Sequence, residues 1–334
     1  MEELLREAVH RLAQGRSLAL AGVAERTGSA PRGPGALLLA EPGVPTLGTV
    51  GGGLLEARVR ELALEQLSRG GGVPVSFSLE HDGLVPRDRR SADVTLWLQA
   101  LPAGDGVLLA ALEGAADRLA SGTPGCLVWE ASGPPRLLDG RPEGAGGAAG
   151  LIPGPGGAPA FWLELRRPYR VFLYGAGHVA VETAALLARM GFACTLLDDR
   201  PDFARAERFP GAEEVRCRDL EHLSPDDLPG PEDCALLMSR SHGLDLILLR
   251  AILPAEPAFL GVLGSRKKGA FLCSALAAEG FSQTDLDRIV LPVGLPLGGE
   301  TPAEIALSVA AQLVQLRASG ALSPTLSKKS EKNC

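Results

Sequence analysis

Only six of the 334 residues are cysteine (Cys126, Cys194, Cys217, Cys234, Cys273 and Cys334), and no two of them form a CxxC pair. The five histidines are equally scattered. This spacing carries no signature of structural zinc, and Cys194 and Cys234, set inside apolar runs, are expected to be small, reduced core residues. Positive charge is also short. With 33 Lys and Arg against 40 Asp and Glu, the formal net charge is −7, and composition offers no basic face for nucleic acid. No run of about 18 apolar residues occurs, which argues against a membrane span. The opening MEELLREAVHRLAQG is acidic and amphipathic and lacks the apolar stretch and small-residue cleavage site of a signal peptide, so a cytoplasmic protein is expected. At 46% hydrophobic residues, a chain of this length can fill two separate cores.

The stretch from Tyr169 to Arg200, YRVFLYGAGHVAVETAALLARMGFACTLLDDR, organises the rest. An apolar run leads into Gly175-Ala176-Gly177-His178, a helical pattern follows to Met190, Gly191 stops it, and a second apolar run ends on Asp198-Asp199. Strand, glycine turn, helix and strand in that order predict a Rossmann-type unit. Gly175 permits the tight turn, Gly177 lets a pyrophosphate approach the backbone, and small Ala180 stands where helix and strand pack closely. The helix start offers free N–H groups to a phosphate. Asp198, 21 residues beyond Gly177, is placed to accept hydrogen bonds from ribose hydroxyls.

Alternation continues to the C-terminus. Buried strands are expected at 212–215, 234–238 and 258–263, the last two ending on the loops Ser239-Arg240-Ser241-His242-Gly243 and Gly264-Ser265-Arg266-Lys267-Lys268. In a doubly wound sheet such loops gather at the carboxyl edge, where ligands bind, which makes His242, Arg266 and Lys267 candidates beside His178. Each also has a plain reading as a cap residue or a solvated charge. After the proline- and glycine-rich stretch 291–300, Thr301-Pro302-Ala303-Glu304 supplies an N-cap, a first-turn proline and a capping-box glutamate, predicting a helix to about Ala318.

The first 131 residues read as an α/β domain of their own. Residues 25–35 form a glycine- and proline-rich loop carrying Arg32, and Thr49-Val50-Gly51-Gly52-Gly53 opens a helix from Leu54 that bears Glu56. Three glycines at a helix start form an anion-accepting nest, although a close backbone crossing gives the same pattern. Residues 81–90 read as a charged loop. Residues 132–160, dominated by glycine, alanine and proline, read as a linker, giving domains at 1–131 and 161–318 and a disordered tail at 319–334.

Taken together, GSAPRGPGA, GTVGGGLLEARV, LYGAGHVA with LLDDRPDFARAERFP, GVLGSRKK and LPVGLPLGGETPAEIALSVAAQLV resemble the XdhC/CoxI family of accessory proteins for molybdenum hydroxylases. The resemblance covers most of the chain. It implies an N-terminal α/β XdhC/CoxI-like domain followed by a Rossmann-like doubly wound parallel sheet. It also implies a maturation chaperone whose cargo is the molybdenum cofactor, either molybdopterin or its cytosine dinucleotide. The implied partners are a cysteine desulfurase that supplies the terminal sulfur and an apo molybdenum hydroxylase such as xanthine dehydrogenase, CO dehydrogenase or an aldehyde oxidoreductase, with a homodimer as the assembly.

On that reading, Arg32, Gly51, Gly52, Gly53, Gly175, Gly177, Arg266 and Lys267 would cradle the pterin phosphate or pyrophosphate. Glu56 would accept from the pterin amino groups, or serve only as a first-turn carboxylate. His178, Asp198 and His242 complete the candidate cofactor-binding set. One departure stands out: many members carry Cys-Gly-Gly where this chain has Arg90-Ser91-Ala92, which disfavours direct sulfur relay. Cys126 and Cys273 are conceivable substitutes, with a buried inert thiol the plainer reading of both. The competing functions are an NAD(P)-dependent oxidoreductase, with His178 or His242 as acid/base, and a nucleotide-sensing Rossmann protein without chemistry.

Overall fold

A computed structural model describes residues 1–27, 31–80, 83–87, 89 and 92–322. The chain divides into two compact units, Met1–Arg167 and Pro168–Cys334.

The first unit opens with helix α1 (Glu2–Ala13), followed by strands β1 (Leu18–Arg26), β2 (Leu37–Glu41) and β3 (Val44–Gly48) and helix α2 (Gly53–Arg69). Strands β4 (Gly72–Glu80), β5 (Gly83–Pro86) and β6 (Val94–Leu101) and helix α3 (Gly106–Ser121) come next, and strands β7 (Gly125–Trp129), β8 (Arg136–Leu138), β9 (Ala149–Pro153) and β10 (Pro159–Leu165) complete it. An antiparallel sheet runs β3-β2-β1-β6-β4-β5, and a smaller one runs β8-β7-β10-β9.

Period-two alternation divides β1 between two cores. Ala19, Ala21 and Val23 face Leu55, Val59 and Ala63 of α2, while Leu18, Leu20 and Ala24 share a cluster with α1, α3 and the smaller sheet. Gly22 stands where the ring of Phe161 needs room: a Cβ there would lie 2.8 Å from the ring carbons. Phe161 stacks in turn between Trp97 and Trp129, with centroids 6.4 and 5.6 Å away.

The expected linker is therefore not one. Residues 132–160 hold β8, β9 and the start of β10, and the break between units falls at Arg167–Pro168. The glycines that dominate its composition sit in turns, with positive φ at Gly133, Gly144, Gly147, Gly156 and Gly157, while the strands between them are short. Likewise β5 occupies part of the stretch expected to be a charged loop.

The second unit holds strand β11 (Arg170–Tyr174), helix α4 (His178–Arg189), and strands β12 (Ala193–Asp198), β13 (Glu214–Cys217) and β14 (Cys234–Leu237). Helix α5 (His242–Ile252), strand β15 (Phe259–Val262), helices α6 (Arg266–Ala278) and α7 (Gln283–Asp287), strand β16 (Ile289–Val290) and helix α8 (Pro302–Ala318) follow. Every strand pair is parallel and the order is β13-β12-β11-β14-β15-β16. The winding reverses between β11 and β14, as in a doubly wound dinucleotide-binding sheet. Odd positions of β11 pack on α4 and α8, and even positions on α5 and α6. Helix α8 starts as the motif predicts, with Thr301 accepting from Glu304 N–H and Glu304 accepting from Thr301 N–H. Of the tail expected to be disordered, residues 323–334 lie outside the described residues.

Candidate functional site

At the carboxyl edge of the parallel sheet, the β11–α4 turn brings together the glycines the sequence singles out. Gly175 has φ 109°, and a Cβ on it would sit 2.4 Å from the carbonyl oxygen of Met238 at the end of β14, so the neighbouring strand demands glycine here. Gly177 caps α4 without a side-chain hydrogen bond, and a Cβ added to it would meet nothing within 4 Å. The N–H groups of a first helical turn have no intrahelical partners, so the turn has the donors an anion needs. Ala180 is fully buried where close packing was expected.

Asp198 ends β12 as anticipated, but its carboxylate faces inward. It accepts from Ala176 N–H at 2.7 Å and from the backbone and guanidinium of Arg200. Burial pushes its carboxyl pKa up, but the Arg200 side chain and the two backbone donors outweigh that and hold it below the ordinary carboxylate value. It serves as a brace for the glycine turn, in place of the outward-facing ribose acceptor expected from the sequence.

His178 and His242 are both exposed, each as the first residue of its helix, and His242 tilts against Phe271 at 6.2 Å. Arg266 and Lys267 are exposed at the start of α6. The next residue, which sequence reasoning passed over, is the one turned inward. Lys268 Nζ donates to the Leu263 carbonyl at 2.8 Å and pairs with Asp245, which is 0% exposed and also accepts from Ser239 Oγ at 2.8 Å. Gly264 gives the lysine stem its path, since a Cβ there would lie 2.4 Å from Lys268 Cδ. Beyond β15 an apolar cleft of about 410 Å³ opens between Leu263, Gly264, Pro292, Val293, Leu297 and Ser308.

The first unit carries its own candidate site at the start of α2. Gly51, Gly52 and Gly53 have φ of 153°, 72° and 57° in succession. A Cβ on Gly51 would lie 3.0 Å from Pro31 Cγ, which brings the loop bearing exposed Arg32 beside the nest. Nothing lies within 4 Å of a Cβ on Gly52 or Gly53, so no crossing backbone explains those two glycines. Glu56 reaches back over the nest: its Oε2 accepts from Gly52 N–H at 3.2 Å and from the Thr49 hydroxyl, while Gly51 N–H donates to Thr49 Oγ1 at 3.3 Å. Gly28, Ser29 and Ala30 of the neighbouring loop, and Arg90 and Ser91 at the position of the missing cysteine, lie outside the described residues. Arg32, Gly51–Gly53 and Glu56 thus gather in the first unit, and Gly175, Gly177, His178, Asp198, His242, Arg266 and Lys267 line one sheet edge of the second.

Of the thiols, Cys126 is buried and donates to the Gly140 carbonyl at 3.2 Å, with burial raising its pKa. Burial pushes Cys194 and Cys234 up to about 12, as suits inert core thiols. Cys217 is exposed and Cys273 half-buried. Among the described residues no helix is long and apolar enough to cross a membrane.

The fold and glycine turn define a two-unit protein whose second unit is a Rossmann-type domain. Comparison with known proteins gives the family: residues 11–78 match the model of the XdhC and CoxI family, and residues 171–313 match the XdhC Rossmann domain. The chain belongs to the XdhC/CoxI family. It is similar to the molybdenum cofactor insertion chaperone PaoD of Escherichia coli K12, 26% identical over 327 residues that cover 94% of this chain and 88% of PaoD. It is also 29% identical over 148 residues to a probable xanthine dehydrogenase subunit from Bacillus subtilis 168, covering 44% of this chain and 43% of that protein. Similarity to the E. coli K12 protein YqeB, described as uncharacterized, reaches 30% over 185 residues, or 55% of this chain and 34% of YqeB. The match thus spans less than half the length of the latter two relatives. A crystal structure from Bacillus halodurans, described as a xanthine dehydrogenase, superposes with a TM-score of 0.76 over 95% of this chain and 96% of that one, at 23% identity, and supports the fold.

Proposed function

We propose that the protein binds the molybdenum cofactor as cargo, supports its sulfuration and delivers it to a molybdenum hydroxylase of the xanthine dehydrogenase, CO dehydrogenase or aldehyde oxidoreductase type. The observation that carries this reading is the similarity to an insertion chaperone over 94% of the chain, which takes in both units rather than the Rossmann unit alone. The site chemistry supports it. A pterin phosphate, or the pyrophosphate of a cytosine dinucleotide, needs backbone donors and a few cations; the first-turn N–H groups of α2 beyond Gly52 supply donors, and the loop that carries Arg32 meets the nest through Pro31. Glu56 already accepts from a backbone N–H and a hydroxyl at this nest, the same chemistry a pterin amino group presents. In the second unit, Gly177, His178, His242, Arg266 and Lys267 are the corresponding candidates.

With Arg90-Ser91-Ala92 in place of Cys-Gly-Gly, we assign sulfur supply to a cysteine desulfurase partner rather than to a thiol of this chain. A cytoplasmic homodimer completes the reading, and light scattering on the purified protein tests the dimer. The second reading, an NAD(P)-dependent oxidoreductase or a nucleotide sensor, draws on the strand order and glycine turn of the second unit.

Anaerobic binding of the purified protein to molybdenum cofactor and, separately, to NAD and NADP discriminates between these readings. Saturable cofactor binding that is lost in Gly52→Leu is the expected result. Binding of nicotinamide nucleotides alone, lost in Gly177→Leu, overturns the carrier reading in favour of the second.

A further inference from the structure

Asp198 stands where a dinucleotide-binding sheet offers a carboxylate to ribose hydroxyls. An ionised carboxylate has about four acceptor positions. Here Oδ1 accepts from Arg200 N at 2.9 Å and Arg200 Nε at 2.8 Å, and Oδ2 accepts from Ala176 N and Arg200 Nη2, both at 2.7 Å. The residue is 1% exposed, so a diol would have neither a free lone pair nor a path to one. Asp199 is engaged as well, by the two terminal guanidinium nitrogens of Arg240, with Nη2 at 2.7 Å from Oδ2, but unlike Asp198 it keeps acceptor positions that Arg240 does not fill. The plug is itself supported. The Arg200 guanidinium lies 3.7 Å from the ring centre of Phe203, Arg208 lies 4.8 Å from the same ring, and Arg208 Nη1 donates to the Ala176 carbonyl at 3.1 Å.

We propose that Arg200 is a specificity-determining residue: by filling the acceptor capacity of Asp198, it bars from this glycine turn any ligand that must be anchored through a ribose diol, NAD in particular. The inference rests on the reading of the turn as part of a cofactor site, and it narrows the ligand class there to molecules held by phosphate and not by sugar hydroxyls. Two of the four bonds to Asp198, from Ala176 N–H and Arg200 N–H, come from the backbone and survive replacement of the Arg200 side chain. Truncation therefore frees two acceptor positions while the carboxylate still braces the turn.

The test is isothermal titration of the full-length protein with NAD, for the wild type, Arg200→Ala and Arg200→Gln, with near-ultraviolet circular dichroism as a check on folding. The wild type is expected to show no saturation up to about 1 mM, and both variants to bind at least about tenfold more tightly than that bound. The gain should disappear in the double variant carrying Asp198→Asn. Saturable NAD binding by the wild type overturns the proposal, as does the absence of any gain in folded variants. Should both variants misfold, Arg200→Lys keeps the charge and stem, loses the two-pronged grip, and takes their place in the same comparison. The outcome is separable from that of the carrier reading: a protein that binds no pterin yet gains NAD on loss of Arg200 sinks the carrier alone, and one that binds pterin while its Arg200 variants gain nothing sinks this proposal alone.

Discussion

Gly175 and Gly52 both carry positive φ, 109° and 72°, yet only the first is held there by its neighbours. Around Gly175 the end of β14 comes so close that a Cβ would strike a backbone oxygen, whereas around Gly52 there is open space. The carboxylates beside them differ in the same way. Asp198 is buried under an arginine and ties the turn to the strand ends, while half-buried Glu56 reaches over the nest from the helix it begins. A glycine required by packing reports on the fold. One required by dihedral angle alone, facing empty space, leaves room for something else.

The same substitution at both glycines is the sharpest way to break that comparison. Gly175→Ala combines an unfavourable φ with a 2.4 Å contact to backbone and should cost about 3–4 kcal/mol or more in denaturant unfolding of the second unit. An effect near that of Gly52→Ala would show the contact to be easily relieved. Next in size, Asp198→Ala leaves the Arg200 guanidinium and a turn N–H without their buried acceptor, for an expected loss of about 3 kcal/mol.

The same carboxylate makes the second unit acid-sensitive. Its folded pKa lies below the unfolded value of about 3.9. Its contribution is therefore complete above that value and is lost as pH falls through the folded pKa. Arg200→Ala removes the strongest lowering influence, so its acid-unfolding midpoint should move to higher pH, as followed by circular dichroism. Gly52→Ala carries only the dihedral penalty, about 1–2 kcal/mol, with a disproportionate loss of cargo affinity. Glu56→Ala uncaps Gly52 N–H and should be the mildest, at about 1 kcal/mol of first-unit stability in thermal melts.

The parts legible in the sequence were those governed by short-range rules. The βαβ start of the second unit follows from hydrophobic period and glycine placement, and the Thr301–Glu304 capping box from spacing within one helical turn. The smaller sheet of the first unit was illegible for a physical reason. The backbone of β10 pairs with β7 and β9, and those pairings leave no trace in composition, while the turns between the short strands flood the stretch with glycine. The candidate site was half visible. Asp198 is marked in the sequence by its distance from the glycines, but the folding back of Arg200, two residues on, depends on the chain turning at the strand end, with Phe203 supporting the guanidinium. Lys268 is indistinguishable in sequence from Arg266 and Lys267, because three adjacent cations look alike until helix α6 turns one of them onto Asp245.

The three tryptophans, Trp97, Trp129 and Trp162, all lie in the first unit, packed into its two sheets, whereas both tyrosines, Tyr169 and Tyr174, lie in the second. Nature has in effect labelled one half of the molecule with indole and the other with phenol. Emission excited at wavelengths that only indole absorbs reports on the first unit alone, so its comparison with whole-chain circular dichroism tells whether the two units melt together or apart.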